Sequence, residues 1–251
     1  MTPAVIFGAG GLGRVVHEIL LQERSFRPVA FLDSDPAKHG ERIEKSRVRG
    51  GIEQIPALRR SGVTAIIVAI GDSPTRVHLA RTCRKQGMHL ISAIHPLASI
   101  SSSATLDEHL IVGARAIVCV HATVGGHCVL STGSIVEHDN VLGTGVFLHP
   151  AVRLAGGVEV EDYATLGIGA CVIPYRRVGR AASVEPGGVV IRDVLPGTNV
   201  GGVPATRMDD TPSRFVPEVA ASYVGQIGVQ DSGQPSHAGH EAHRDSPVSK
   251  M

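Results

Sequence analysis

Ile111-Val112-Gly113-Ala114-Arg115-Ala116-Ile117-Val118-Cys119-Val120-His121-Ala122-Thr123-Val124 sets the rule for most of this chain: an aliphatic residue stands at every sixth position. Outward from there the series is unbroken, from Ile94, Ile100 and Leu106 through Leu130, Val136, Leu142, Leu148 and Leu154 to Val160, Leu166, Val172, Val178, Val184 and Val190. The fourth residue after each aliphatic is mostly small, as at Ala104, Ala116, Ala122, Cys128, Ser134, Ala164, Ala170 and Ala182. Glycine often follows the aliphatic directly, as at Gly113, Gly125, Gly143, Gly167 and Gly179. A period of six is not the roughly 3.6 of a helix. A sandwich would show strands of varied length and irregular turns. The repeat suits a short flat strand and a corner, stacked coil upon coil with the aliphatic inward.

The hexads resemble the left-handed parallel β-helix of the hexapeptide acyltransferases. That resemblance implies three hexads per triangular coil, about six coils here, a left-handed path against the usual right-handed crossover, and chains associated as a homotrimer along their long axes.

Upstream, residues 4–7 are apolar and lead into Gly8-Ala9-Gly10-Gly11-Leu12-Gly13, then into a helix-periodic segment with Val15, Val16, Ile19 and Leu20. This is strand, glycine turn, helix. The glycines let backbone approach a phosphate, and the helix N-terminus offers free N–H groups and a positive dipole end. A second strand over 29–32 ends at Asp33, about twenty residues past Gly13, where a ribose-binding acid belongs. A helix near 54–60 and a strand over 65–70 follow, then a helix opened by Pro74, capped by Ser73 and running to about Gln86. Residues 89–94 read as a fourth strand. With one mononucleotide half present, the domain suits a nucleotide sugar better than a full dinucleotide; the alternative is a turn that binds nothing.

The 251 residues suit one large or two modest domains, and a net charge of +1 gives no basic field for nucleic acid. No apolar run reaches the roughly 20 residues of a membrane span, and no signal core opens the chain, so a cytoplasmic location is expected. The four cysteines lack zinc spacing, and Cys128 reads as buried filler of the repeat. With no Trp, three Tyr and five Phe, stacking on single-stranded nucleic acid is disfavoured.

The order of a small glycine-turn α/β domain feeding a hexad helix resembles the sialic acid O-acetyltransferase family and the related sugar N-acetyltransferases that act on nucleotide-linked amino sugars. The likeness covers about residues 3–208. It implies an α/β N-terminal domain (a half-Rossmann parallel sheet, 1–93) followed by a left-handed parallel β-helix with a closing cap (94–208); the composition of 209–251 reads as a disordered tail. It also implies a nucleotide sugar held by Gly8, Gly10, Gly11, Leu12, Asp33, Ser34, Asp35 and Gly71. Leu12 stands where the family often has His, and Ser34 where a second Asp is common.

Inside the repeat, Val136-Glu137-His138-Asp139 puts three polar groups where an ordinary coil needs none. The family's catalytic signature, aliphatic-Glu-His followed by an acid, matches here and implies His138 as general base. An ammonium has no lone pair, so an amine attacking a thioester must lose a proton, and imidazole titrates near neutrality. Asp139 would support the imidazole, with Glu137 as its rival; the bland alternative is a solvated histidine at a trimer interface. The sugar amine would attack acetyl-CoA directly, with a backbone N–H on the oxyanion and no metal.

The family's second histidine, nine residues further on, is replaced by Phe147, and His149 is a substitute from a different face. The resemblance places the cofactor's pantetheine along Gly156, Ile168 and Gly169. Glu185-Pro186 replaces a usual Gly-Ala or Gly-Gly, and the proline removes an N–H from the cofactor groove. Arg176, Arg177, Arg180 and Arg192 are candidates for the phosphates of coenzyme A. Gly202-Val203-Pro204-Ala205 is similar to the family's closing segment. Beyond Met208 the composition turns to Ser, Gly, Pro and His, with 215–229 as a short docked segment and His237, His240 and His243 spaced in threes.

The function expected is transfer of acetyl from acetyl-CoA to the amino group of a nucleotide-linked amino (deoxy)sugar. Sugar O-acetylation is the close rival. An NAD-dependent oxidoreductase would lack a second nucleotide-binding half. A non-catalytic sugar-nucleotide-binding or assembly protein with a decayed cofactor groove would explain Phe147 and Pro186, but not an intact Glu137-His138-Asp139.

Overall fold

The computed structural model describes residues 1–208; the segment 215–229 and the three spaced tail histidines lie outside the described residues. Strand β1 (Thr2–Phe7) runs through the glycine turn into helix α1 (Gly11–Glu23) and strand β2 (Phe26–Leu32). A hairpin of β3 (Arg42–Ile43) and β4 (Ser46–Arg47) follows, then helix α2 (Ile55–Arg60), strand β5 (Ala65–Val68), helix α3 (Ser73–Lys85) and strand β6 (His89–Leu90). The sheet order is β2-β1-β5-β6, all parallel. Crossing helices bury both faces of such a sheet, which is why β5 reads Ala-Ile-Ile-Val without alternation and is buried throughout.

Two expectations need correcting. Asp72, not Ser73, caps α3: its carboxylate accepts from the Thr75 N–H at 2.9 Å, while Ser73 is the first helical residue. Residues 89–94 are not one strand. His89–Leu90 completes the N-terminal sheet and Ala93–Ile94 is the first rung of the solenoid, because the Ile91 N–H still pairs with Ile66 whereas the Ala93 N–H pairs with Leu110.

From there the chain forms a parallel β-solenoid of about six turns with the geometry of a left-handed β-helix. Two-residue strands stack in three faces with partners eighteen residues apart, as in Val112↔Leu130, Val118↔Val136 and Val124↔Leu142. The hexad aliphatics from Val112 to Val190 are buried, and the small residues four places on fill the corners between them. The corners share one device: every sixth residue from His109 to Gly187 takes a positive φ. Only this left-handed kink turns the chain tightly enough to begin the next flat strand. At the far end Asn199–Gly201 pairs antiparallel with Thr206–Arg207, which caps the open coil.

The N-terminal domain packs on the first face, whose outward residues Ile111, Val129 and Phe147 join Ala9, Val16 and Phe31 in one apolar cluster. No helix among the described residues is long and apolar enough to cross a membrane.

Candidate functional site

The expected nucleotide-sugar residues gather at the C-terminal ends of β1, β2 and β5, where open parallel sheets hold ligands. Gly8 lies against Ala69, whose carbonyl oxygen leaves no space for a Cβ, and its φ of 115° also demands glycine. Gly10 and Gly11 face open space: a Cβ on either would meet nothing within 4 Å. Gly71, Ser34 and Asp35 are exposed and Leu12 is half-buried. Asp35 is engaged locally, accepting from the Ala37 N–H at 2.9 Å.

Asp33 is buried, and its carboxylate is already committed. Oδ2 accepts from the Ala9 N–H at 2.8 Å and from Lys38 Nζ at 3.1 Å, and Oδ1 accepts from the Asp35 N–H at 2.9 Å. Burial pushes its pKa up, but these bonds outweigh that and hold it below the usual carboxylate range. Asp33 therefore braces the glycine turn. Lys38 escaped the sequence reading because only the short turn at Pro36–Lys38 brings it back to Asp33.

Arg76 is the largest omission. It is fully buried, and its guanidinium donates to the carbonyls of Ile70, Gly71, His127 and Gly145 and to Ser73 Oγ, at 2.8 to 3.1 Å. It thus ties the loop carrying Gly71 to two coils of the solenoid. Beside it, His109 Nε2 accepts from the Val68 N–H at 2.9 Å, and His109 Nδ1 lies 2.9 Å from His127 Nδ1. The first bond fixes the His109 proton on Nδ1, so His109 donates to His127. Burial, then the neighbouring His127 and Arg76, hold the His109 pKa well below its ordinary value.

His138, Glu137 and Asp139 sit on the corner opposite that first face. Asp139 occupies the positive-φ position, at 59°, and this kink turns its carboxylate back to His138 Nδ1 at 2.8 Å. Glu137 instead faces Cys119, whose thiol pKa is raised by burial and then by that carboxylate. Asp139 is thus the imidazole's partner in this chain. One coil on, Gly156 lies directly beneath the ring, where any Cβ would collide with His138 Cε1 and Nε2. Asn140 braces the same corner from inside the prism, its Oδ1 accepting from the Val158 N–H at 2.6 Å. An asparagine at a position mostly filled by small or aliphatic residues was the available signal for it.

The expected cofactor residues do not form one cluster. Gly156 shares the His138 corner, whereas His149, Ile168, Gly169 and Pro186 line the next corner, across the face built from Ile117, Ile135, Cys171 and Val189. Phe147 is on neither corner: it is 8% exposed, in the apolar cluster under the N-terminal domain, against which Leu12 also packs. His149 stacks on it at 4.4 Å, and burial lowers the His149 pKa. Two of the departures from the family pattern, Leu12 and Phe147, thus belong to the same apolar cluster. Glu185 accepts from Asn199 Nδ2 at 2.9 Å, which ties it to the Asn199–Gly201 strand stacked on its coil. Arg176, Arg177 and Arg180 are paired with Asp193, Glu161 and Asp162, so carboxylates of their own prism already hold three of the four arginines expected at phosphates. Arg192 is exposed. Among the described residues no group of three or more His, Cys, Asp or Glu could hold a metal ion.

Residues 4–83 match the PglD N-terminal domain family. The chain is 38% identical to PerB from Caulobacter crescentus, solved with CoA and GDP-perosamine, over 83% of this chain and 98% of that one, with a TM-score of 0.78. A variant of GDP-perosamine N-acetyltransferase from the same organism gives 37% identity over 84% and 98%, with a TM-score of 0.79. The acetyltransferase domain of PglB from Neisseria gonorrhoeae, solved with acetyl coenzyme A, gives 26% over 82% and 98%, with a TM-score of 0.76. No curated protein sequence matches the chain.

Proposed function

The chain belongs to the sugar N-acetyltransferases of the hexapeptide-repeat, left-handed β-helix superfamily, and on that basis we propose that it moves acetyl from acetyl-CoA to the amino group of a nucleotide-linked amino sugar. The observation that carries this is His138, held at Nδ1 by Asp139 and seated over a glycine on an exposed corner. With Nδ1 engaged, Nε2 is the nitrogen left to take a proton. As the sugar nitrogen bonds to the thioester carbon, its proton passes to Nε2. Collapse of the tetrahedral intermediate then breaks the C–S bond, and the proton leaves with the coenzyme A thiol. Asp139 stabilises the imidazolium formed in between.

The glycine turn and His138 of one chain lie on opposite sides of the prism. An acceptor held at one chain's turn therefore meets His138 of a neighbour, as a homotrimer packed along its long axis allows. Val120, Ile173 and Tyr175, exposed on the His138 corner, are the apolar surface such a neighbour would cover. Acetyl-CoA would lie along the face between the His138 corner and the Ile168–Gly169 corner. Buried Phe147 takes no direct part in holding it.

The test is to supply acetyl-CoA with a panel of GDP-, UDP- and dTDP-linked amino sugars, GDP-linked ones first, and to identify acetylated products by mass spectrometry. Acetylation of the amine in at least one sugar is expected. Acetylation only of hydroxyl groups, or no thiol release with any sugar, would overturn the reading.

A further inference from the structure

Acetyl transfer leaves the outer edge of the N-terminal sheet without a task. There α1 presents Arg14 and His17, and β2 and the hairpin region present Arg27, Lys45 and Arg49, to a cleft of about 650 Å³. That volume is within the range of small-molecule sites. None of Gly8, Gly10, Gly11, Asp33 or Gly71 lines it. Those residues sit at the C-terminal ends of the strands, whereas Arg27 lies near the start of β2.

Two independent features mark the cleft. First, Arg14, Arg27, Lys45 and Arg49 converge on it, and none of them forms an ion pair among the described residues. Glu18 and Glu44 also line it, so the lining carries four cations against two acids. Second, His17 lines the cleft while being 3% exposed, and its Nε2 has no hydrogen-bond partner. Buried polar atoms are almost always partnered, so an orphan beside a lining with an excess of cations points to a missing ligand atom. Burial lowers the His17 pKa, against the raising influence of Glu44 and Glu18, and the ring stacks on Phe31 at 5.6 Å. A neutral, flat, half-apolar wall of this kind suits a ring or ribose rather than a bare ion.

We propose that this cleft is a second ligand site, separate from the glycine turn, for a phosphate-bearing small molecule of the nucleoside diphosphate class. Arg14, Arg27, Lys45 and Arg49 take the phosphates, and the nucleoside portion reaches His17 Nε2.

The test uses the full chain carrying Gly10→Asp, which repels phosphate from the glycine turn, with inorganic pyrophosphate and ADP as probes in titration calorimetry. Both are expected to bind, less tightly as salt rises. Adding Arg27→Ala and Arg49→Ala should weaken both by about tenfold or more while leaving the melting temperature without ligand unchanged. Adding His17→Phe instead should weaken ADP alone. Absence of binding to the Gly10→Asp chain, or binding indifferent to the two arginines, overturns the site. Pyrophosphate binding as tight as ADP binding, with no effect of His17→Phe, overturns the nucleoside assignment.

Discussion

Replacing Arg76 with Met tests how the two domains are held together. The side chain is fully buried, and each N–H of its guanidinium meets an acceptor: the carbonyls of Ile70, Gly71, His127 and Gly145 and the Ser73 hydroxyl. Burial lowers its pKa to about 10, so it stays charged at neutral pH. Met fills much of the volume but strands those acceptors, at about 1–3 kcal/mol for each that water cannot reach. Relief from burying a charge offsets part of this. The net loss should be about 3–5 kcal/mol, the scale for breaking a buried ionic network. Lys should rescue little, since its three donors cannot span both domains. Urea unfolding of the full chain, followed by circular dichroism, measures the change. A loss below about 1 kcal/mol for Arg76→Met would refute the reasoning, because it would mean the acceptors find other donors at no cost.

Gly156→Ala should fold but push His138 off Asp139, lowering kcat by about tenfold to a hundredfold; an unchanged kcat would mean the observed seat of the ring is irrelevant. Stability should fall with acid. His109 has a depressed folded pKa, so below pH 6.5 the unfolded chain takes up a proton that the folded chain refuses, removing up to about 1.4 kcal/mol per pH unit. Melting temperatures between pH 7 and 5 should show this decline, and His109→Gln should lessen it; equal slopes would remove His109 as a cause. Co-expressed His138→Ala and Gly10→Asp chains should be more active together than the sum of each alone, since under the proposed arrangement a mixed trimer would restore a complete site; no gain would mean each chain builds its site alone.

The solenoid was legible because its period is set by local sterics: one inward aliphatic and one corner recur whatever the rest of the chain does. The left-handed corners were less so. Non-glycine residues such as His121, Tyr163 and Ala181 take positive φ there, forced by the stack rather than by their own preference. His138 and Asp139 could be read because they are neighbours in sequence. Arg76 could not, since a single arginine in a polar helix gives no sign that its acceptors lie as far away as His127 and Gly145. The same limit applies to Phe147: its departure from the family pattern pointed to a lost cofactor contact, and no local pattern signalled that its ring is buried in the apolar cluster beneath the N-terminal domain. Asp72 was overlooked as a cap because Ser73 stands directly before Pro74, and either residue could have played the part.

The most direct test of the account is the rate of thiol release from acetyl-CoA with a productive amino-sugar nucleotide, for the unaltered chain and for His138→Ala. A fall in kcat of about a hundredfold or more, with the KM for both substrates nearly unchanged, is the result predicted for loss of a general base. A variant that retains kcat would contradict the account, because the amine's proton would then leave by a route that owes nothing to His138.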